Sequence, residues 1–234
     1  MRNLASLLFV VGFGFLLLTL TGLLEFGAPP MRVGEAIQAQ APDQVGAANI
    51  VTAVVLGYRG LDTLGELSIL FAAATAGGFV LGRSAGAGST SAGSTRDAGV
   101  ILRTGADLLF PLLIVVGLYI VLHGHLTPGG GFQGGVILAV AFFLPSLVRR
   151  GAALDHRWLS LVEGLAGASF ILIGLLSFYR DGYFLQPLLD EGTLGALVSA
   201  GTLPLLYLAV GLKVGSELAG LLSRLNEDDQ EQAA

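Results

Sequence analysis

A cluster of ionisable residues lies where the chain enters its second long apolar stretch. Arg59, Asp62 and Glu66 follow one another at spacings of three and four residues, and in a helix such spacings place side chains along one face. Glu66 would then lie about 9 Å beyond Gly60 along the helix axis, at about 1.5 Å per residue. A carboxyl group at that depth in a bilayer has to be protonated, paired or in contact with water.

A carboxyl group balanced between its protonated and ionised states can pass a proton on, and this is the chemistry that we predict for Glu66. Arg59 and Asp62 are candidates for the same ion path. In the structural alternative, Arg59 and Asp62 anchor the helix at the membrane interface and Glu66 makes a hydrogen bond between helices. Glu163 lies in a later apolar stretch, seven residues after His156 on the same helical face, and both interpretations stay open for it.

A second stretch able to carry chemistry contains two histidines and a run of glycines, and it spans residues 123–135. Histidine is the side chain best suited to relay protons near neutral pH, so His123 and His125 are candidates for a proton relay. A histidine that is bonded into the loop and has no other task fits the sequence equally well. The two rings point to different sides of a helix and have no third ligand nearby, so we predict no metal site.

The glycines of this stretch are predicted to have a structural role. They permit positive φ angles and close backbone approach, so the loop can pack tightly between helices. Their G-x-G-x-x-G spacing does not indicate a dinucleotide site, because no strand precedes it. The residues of this glycine motif are Pro128, Gly129, Gly130, Gly131, Phe132, Gly134 and Gly135.

The elements that must position these residues are membrane helices. Of the 234 residues, 53% are hydrophobic and only 12% are charged, and the mean hydropathy is +0.78. Because a helix needs about 20 apolar residues to cross a hydrocarbon core, six stretches qualify as spans: residues 4–24, 61–82, 104–122, 131–148, 158–178 and 193–212. We therefore predict an all-α integral membrane protein with six transmembrane helices.

Composition also excludes several classes of function. The absence of cysteine rules out disulfides, thiolate nucleophiles and cysteine-ligated metals. A single lysine and a net charge of -5 leave no basic patch for nucleic acid. An intramembrane hydrolase would need an H-E-x-x-H motif, facing aspartates, or a buried serine with a histidine base, and the sequence offers none of these. We predict neither catalytic residues nor a cofactor.

The distribution of arginine and lysine sets the predicted orientation, because positive residues are retained on the cytoplasmic side. In a six-span topology nine of them fall on one side, and only Arg32, Arg59 and Arg180 fall on the other. Both termini are therefore predicted to be cytoplasmic. The first apolar run is longer than the core of a signal peptide, which has roughly 7 to 15 residues, so we expect it to be a retained helix.

A change of composition at residues 83–103 indicates a flexible linker, because its small polar residues cannot bury enough surface to fold. The linker separates a two-span module at residues 1–82 from a four-span module at residues 104–225, which an acidic tail at residues 226–234 follows. Residues 47–58 are apolar but cover only about half a bilayer as a helix. We expect this segment to lie at the interface or to re-enter the membrane.

Residues 49–66 resemble the C-terminal end of MrpA (or MnhA), a component of the Mrp-type multisubunit cation/proton antiporters, and the resemblance extends loosely over residues 1–82. The corresponding piece is a separate small subunit in the related membrane-bound hydrogenases. Gly57 stands where the family has an aspartate, so any role of that aspartate does not transfer. The ionisable positions that match are Arg59, Asp62 and Glu66.

The glycine motif resembles the signature of MrpB (or MnhB), another component of the same antiporters, which reads Gly-His-x-x-Pro-Gly-Gly-Gly-Phe-x-Gly-Gly. The match begins at Gly124 and His125 and ends at Gly135, and residues 97–225 follow the layout of that family. Leu126 replaces the asparagine that is common after the histidine, which removes a hydrogen-bonding group.

These resemblances imply a subunit of an Mrp-type complex that exchanges Na⁺ for H⁺ across the plasma membrane. The chain would contribute to the ion path and to assembly, with large proton-pumping subunits and small membrane subunits as partners, and would not itself be an enzyme. The alternative is an ion-translocating subunit of a complex-I-like membrane-bound hydrogenase or related redox complex. A purely structural scaffold, which would tolerate loss of the Glu66 carboxyl group, also stays open.

Overall fold

The computed structural model describes residues 2–23, 32–84, 99–149 and 154–232, and it comprises two compact units, residues 1–38 and 39–234. The first unit contains α1 (Arg2–Leu23) and the start of α2 (Arg32–Val45). The span within α1 has none of its residues buried inside the protein. Its apolar surface is therefore available to lipid or to another chain.

The second unit begins with the end of α2 and continues through short and long helices. Asn49 caps the first of these by accepting a hydrogen bond from the Val51 amide, and Asp155 caps another by accepting one from the Arg157 amide. The elements in order are α3 (Ile50–Thr52), a π-helical turn (Ala53–Tyr58), α4 (Gly60–Ser84), α5 (Val100–Leu122), α6 (Gly131–Val148), α7 (His156–Asp181) and α8 (Leu203–Gln232).

α8 is the central helix of the second unit. It packs against α4, α5, α6 and α7, and 61% of its span is buried, compared with 17% in each of the α4, α5 and α7 spans. Glycines let the backbones of α6 and α8 come close together: a Cβ atom added at Gly135 would lie only 2.9 Å from the carbonyl oxygen of Gly211. The outward faces of the other helices are apolar and exposed.

Six helices of the described chain are long and apolar enough to cross a membrane, which confirms the predicted all-α, six-span fold class. The span predicted at residues 131–148 coincides with α6. The span predicted at residues 193–212 is wrong in its bounds, because Gly192, Gly195 and Gly201 adopt positive φ angles in a non-helical segment and α8 begins only at Leu203. The membrane-crossing part of α8 runs from Leu203 to Asn226.

The predicted modules stay a prediction about sequence relationships. Residues 85–98 of the predicted linker lie outside the described residues, while α4 reaches Ser84 and α5 begins at Val100. In the structure α4 packs against α8, so the second predicted span belongs to the larger unit. α8 continues to Gln232 through most of the predicted tail, and residues 233–234 lie outside the described part.

Candidate functional site

The loop between α5 and α6 is fastened to the segment that precedes α4. The side-chain amide of Asn49 donates hydrogen bonds to the carbonyl oxygens of Gly124 and Thr127, each at 2.9 Å. Thr52 donates to the same Gly124 oxygen at 2.5 Å and accepts a hydrogen bond of 2.6 Å from the hydroxyl of Tyr207 on α8. The two stretches that the sequence marked separately therefore meet in one hydrogen-bonded clamp.

The glycine motif fits this clamp because it lacks side chains where the backbone is crowded. Gly129 and Gly130 have φ angles of 145° and 140°, a region that side chains disfavour. A Cβ atom at Gly130 would lie 2.6 Å from the ring of Tyr207. Pro128 is exposed and Phe132 is half-buried, so the packing role rests on the glycines.

The two histidines of the loop have different surroundings. His125 is fully buried, with its Nε2 atom 3.3 Å from the carbonyl oxygen of Ala196. Burial lowers the pKa of His125, and the nearby His123 ring lowers it further, against an opposing contribution from the Ala196 carbonyl. His123 is half-buried, contacts the Tyr119 carbonyl oxygen at 3.0 Å and stacks on the Tyr119 ring.

The ionisable cluster at the start of α4 is divided by the structure. Arg59 and Asp62 form an ion pair whose side chains are 69% and 52% exposed. Thr63 donates a hydrogen bond of 2.7 Å to the Val55 carbonyl oxygen and so joins the π-helical turn to α4. Glu66 lies one helical turn beyond Asp62, is exposed, and has no hydrogen bond or ion pair within the described part of the chain.

The π-helical turn supplies a physical reason for one departure from the family pattern. A Cβ atom at Gly57 would lie 2.9 Å from a methyl carbon of Val45. An aspartate at this position would therefore require Val45 or the turn to shift. π-helical turns inside helices frequently occur at functional sites, and this one ends at the Arg59–Asp62 pair.

A second charged cluster includes Glu163 and two residues that the sequence analysis did not select. The ammonium group of Lys213 lies 3.1 Å from Glu217 Oε2 and 3.4 Å from Glu163 Oε1, and it faces the ring of Phe71 at 5.2 Å. The Lys213, Glu217 and Glu163 side chains are 10%, 2% and 22% exposed. The last predicted span, residues 193–212, ends immediately before Lys213, so the sequence analysis placed this lysine at the end of a helix. The signal that could have located it is the apolar sequence that continues to Leu222 on both sides of Lys213 and Glu217.

A cavity of about 400 Å³ adjoins this cluster between α4, α7 and α8. Glu163 and Glu217 line this cavity, and so do Arg224 and His156, the first residue of α7. The described residues contain no group of three His, Cys, Asp or Glu side chains that could hold a metal ion.

Comparison with known proteins relates most of the larger unit to one family. Residues 101–220 match a family described as a domain related to the MnhB subunit of Na⁺/H⁺ antiporters. An uncharacterised protein of Methanocaldococcus jannaschii is 33% identical over 197 residues, which cover 74% of each chain. A putative antiporter subunit, mnhB2, of Staphylococcus saprophyticus is 35% identical over 103 residues, which cover 39% of this chain and 73% of that protein.

Solved structures of two membrane complexes contain chains of similar fold. A chain of the membrane-bound sulfane sulfur reductase, an archaeal respiratory membrane complex, matches with a TM-score of 0.78 and 36% identity over 96% of this chain and 97% of that chain. A chain of the Mrp complex from Dietzia sp. DQ12-45-1b matches with a TM-score of 0.77 and 27% identity over 98% of this chain but 26% of that chain. These similarities confirm the resemblance to the MnhB family.

Proposed function

Because the chain belongs to the family of domains related to the MnhB subunit of Na⁺/H⁺ antiporters, we propose that it serves the ion path and the assembly of a multisubunit cation/proton antiporter. The complex exchanges Na⁺ for H⁺ across the plasma membrane, and both termini of this chain are cytoplasmic. The partners are large proton-pumping subunits and small membrane subunits. The chain itself catalyses no reaction and binds no cofactor.

The position of Glu66 carries this proposal. The residue is exposed within the span Gly60–Val80 and has no partner in the described part of the chain. Ionisable residues within membrane spans are unfavourable in contact with lipid and almost always face protein or a water-filled cavity. Another subunit therefore covers Glu66 with polar groups or water, and an ionisable group at such a contact is suited to pass a proton or cation between subunits.

The clamp around the glycine loop supports the part of the proposal that concerns assembly. Asn49 and Thr52 hold the loop to the segment before α4, and Tyr207 ties both to the central helix. The clamp thus fixes the start of α4 relative to α8. Because α4 carries Glu66, the same contacts fix where the carboxyl group meets the neighbouring subunit.

Site-specific photo-crosslinking in the assembled complex tests this arrangement. A photoreactive amino acid in place of Glu66 should capture another subunit on illumination, because that surface is covered in the proposed complex. The same amino acid in place of Phe170, which is 0% exposed, should react only within the chain. If the position of Glu66 yielded lipid adducts and no subunit, the proposed contact would be absent.

A second candidate function is favoured by one comparison. The match to the sulfane sulfur reductase complex covers nearly the whole of both chains, whereas the match in the Mrp complex covers a quarter of a longer chain. The correspondence over nearly the whole of both chains favours an ion-translocating role in a respiratory or hydrogenase-type complex. Purification in mild detergent distinguishes the two candidates, because redox subunits should accompany the chain only in the second.

A further inference from the structure

The Glu163–Lys213–Glu217 cluster lies deep in the membrane-spanning part of the second unit. Lys213 follows Leu203, the first residue of α8, by ten positions. This separation is about 15 Å at about 1.5 Å per residue, or half of a hydrocarbon core of roughly 30 Å. Ionisable residues at such a depth are rare and default to a functional hypothesis.

The charges of the cluster do not balance when all three groups are ionised. Two carboxylates face one ammonium group, and both contact it directly. Glu217 is almost fully buried, yet its Oε1 atom has no hydrogen-bond partner among the described residues. A buried carboxylate oxygen without a partner is unfavourable. A proton on that oxygen, or a water molecule next to it, removes the penalty.

The cavity beside the cluster provides a route for water. α4 and α7 both pack on α8, and the cavity of about 400 Å³ forms a groove between them. Besides the two carboxylates, its polar lining consists of Thr75, His156, Ser160, Ser216 and Arg224. Among the described residues, the other ionisable groups along the groove are therefore His156 and Arg224, both at the end where α7 begins.

We propose that Glu163, Lys213 and Glu217 form a second protonatable site, which exchanges protons through the groove with the membrane face at which α7 begins. A proton from water in the groove adds to the Glu217 carboxylate and gives the neutral acid, while the Lys213 ammonium stays paired with Glu163. Release of that proton to water restores the Glu217 carboxylate and its ion pair with Lys213. This inference rests on the proposed ion-conducting role of the complex but concerns a site separate from Glu66.

Neutralising Lys213 and Glu217 together tests whether the cluster is a protonatable site or a purely structural ion pair. The double variant Lys213→Met/Glu217→Gln keeps approximate volume and leaves no buried ammonium group unpaired; Glu163 loses its cation but is 22% exposed and lines the groove. Replacing a buried ion pair by uncharged residues of similar volume is often neutral for stability. We expect the complex to assemble and ion exchange per assembled complex to fall about a hundredfold, the scale on which loss of a proton-transfer group slows a reaction. Asp107→Asn/Arg149→Gln, which neutralises a half-exposed pair on α5 and beyond α6, is the control and should exchange normally. Normal exchange by the Lys213/Glu217 variant would overturn the proposal.

Thiol accessibility tests the groove without removing any charge. The chain contains no cysteine, so a single introduced thiol reports its own surroundings. Ser216→Cys lies in the groove beside Glu217. Gly164→Cys is the control: it lies on α7 next to Glu163, where an added Cβ atom would meet no other protein atom within 4 Å. A charged thiol reagent added from the side at which α7 begins should label Ser216→Cys about tenfold faster, because the reactive thiolate forms only where water is present.

Equal slow labelling of both cysteines would mean that the groove is dry and would contradict the proposal even if the double variant failed to assemble. The roles proposed for Glu66 and for the Glu163–Lys213–Glu217 cluster can also be refuted independently of each other. If Glu66→Gln exchanges ions normally while the Lys213/Glu217 variant does not, the role proposed for Glu66 is lost and the second site stands. If Glu66→Gln is inactive and the Lys213/Glu217 variant is normal, only the second site is lost.

Discussion

His125 and His123 differ in environment although only one residue separates them. His125 is fully buried and held at the Ala196 carbonyl oxygen, whereas His123 is half-buried and stacks on Tyr119. Burial lowers the pKa of His125 from 6.5, so its imidazole is neutral in the folded protein at neutral pH. This favours a loop-supporting role for His125, the structural interpretation that its sequence left open.

His125→Gln should weaken the pH dependence of the stability of the complex. The pKa of His125 is lower in the folded than in the unfolded state. The stabilisation that results from this difference is therefore present above pH 6.5 and is lost as the pH falls below that value. Glutamine can donate the same hydrogen bond but does not titrate. The thermal midpoint of the purified wild-type complex should therefore fall more steeply between about pH 7 and 5 than that of the variant. His123→Gln is the control, and identical slopes for His125→Gln and wild type would refute the assignment.

Lys213 illustrates a limit of reasoning from residues alone. A lysine after an apolar run normally indicates the end of a span, and the apolar residues before Gly201 made an earlier start plausible. Only the positive φ angles of Gly192, Gly195 and Gly201 move the start of α8 to Leu203. The ion pair with Glu163 joins residues fifty positions apart, and no local pattern contains that information.

At the scale of the elements, apolar length predicted the helices well. The bounds of α6 follow directly from its uncharged run, which begins within the glycine motif at Gly131 and ends before Arg149. The segment 47–58 was expected to lie at the interface or to re-enter, and it forms α3 and the π-helical turn with Thr52, Ala53 and Leu56 buried. Its contact with Gly124 bridges seventy-two positions, so the clamp could not be predicted from either stretch.

Gly130→Val should reduce assembly of the complex, because the glycine loop has no room for a side chain. The substitution places a β-branched residue at a φ of 140°, which costs on the order of 1 to 3 kcal/mol in backbone strain, and directs it at the ring of Tyr207. The amount of intact complex measured by native electrophoresis should fall relative to wild type.

Gly182→Val provides the matched control for this prediction. Gly182 also has a positive φ angle, of 78°, but a Cβ atom there would meet nothing within 4 Å. Gly182→Val should therefore introduce backbone strain without steric crowding, and the complex that carries it should assemble better than the complex that carries Gly130→Val. Full assembly of Gly130→Val combined with loss of ion exchange would instead assign the loop a direct part in conduction.

At the scale of the whole molecule, the contacts gather three connecting segments at one end of the second unit. Asn49 contacts the α5–α6 loop, and His125 of that loop contacts Ala196 in the segment before α8. Because consecutive spans cross the membrane in opposite directions, these three segments lie on the same side of it. Which side this is follows only from the distribution of positive residues.

Labelling of introduced cysteines should place these segments outside the cell. Thr127→Cys lies in the α5–α6 loop, and Ser91→Cys lies in the predicted linker. An impermeant thiol reagent applied to intact cells should label Thr127→Cys, and applied to inverted vesicles it should label Ser91→Cys. Labelling of both positions from the same face would reject the proposed orientation.

Ion exchange by Glu66 variants tests the central proposal most directly. Glu66→Gln preserves length and polarity but cannot take up and release a proton, whereas Glu66→Asp keeps the carboxyl group and displaces it by one methylene. In vesicles, with rates normalised to assembled complex, we expect Glu66→Gln to lose exchange by about a hundredfold and Glu66→Asp to retain part of it. The opposite order, with near-normal exchange by Glu66→Gln and a larger loss in Glu66→Asp, would show that Glu66 makes only a structural hydrogen bond and would contradict its role in the ion path.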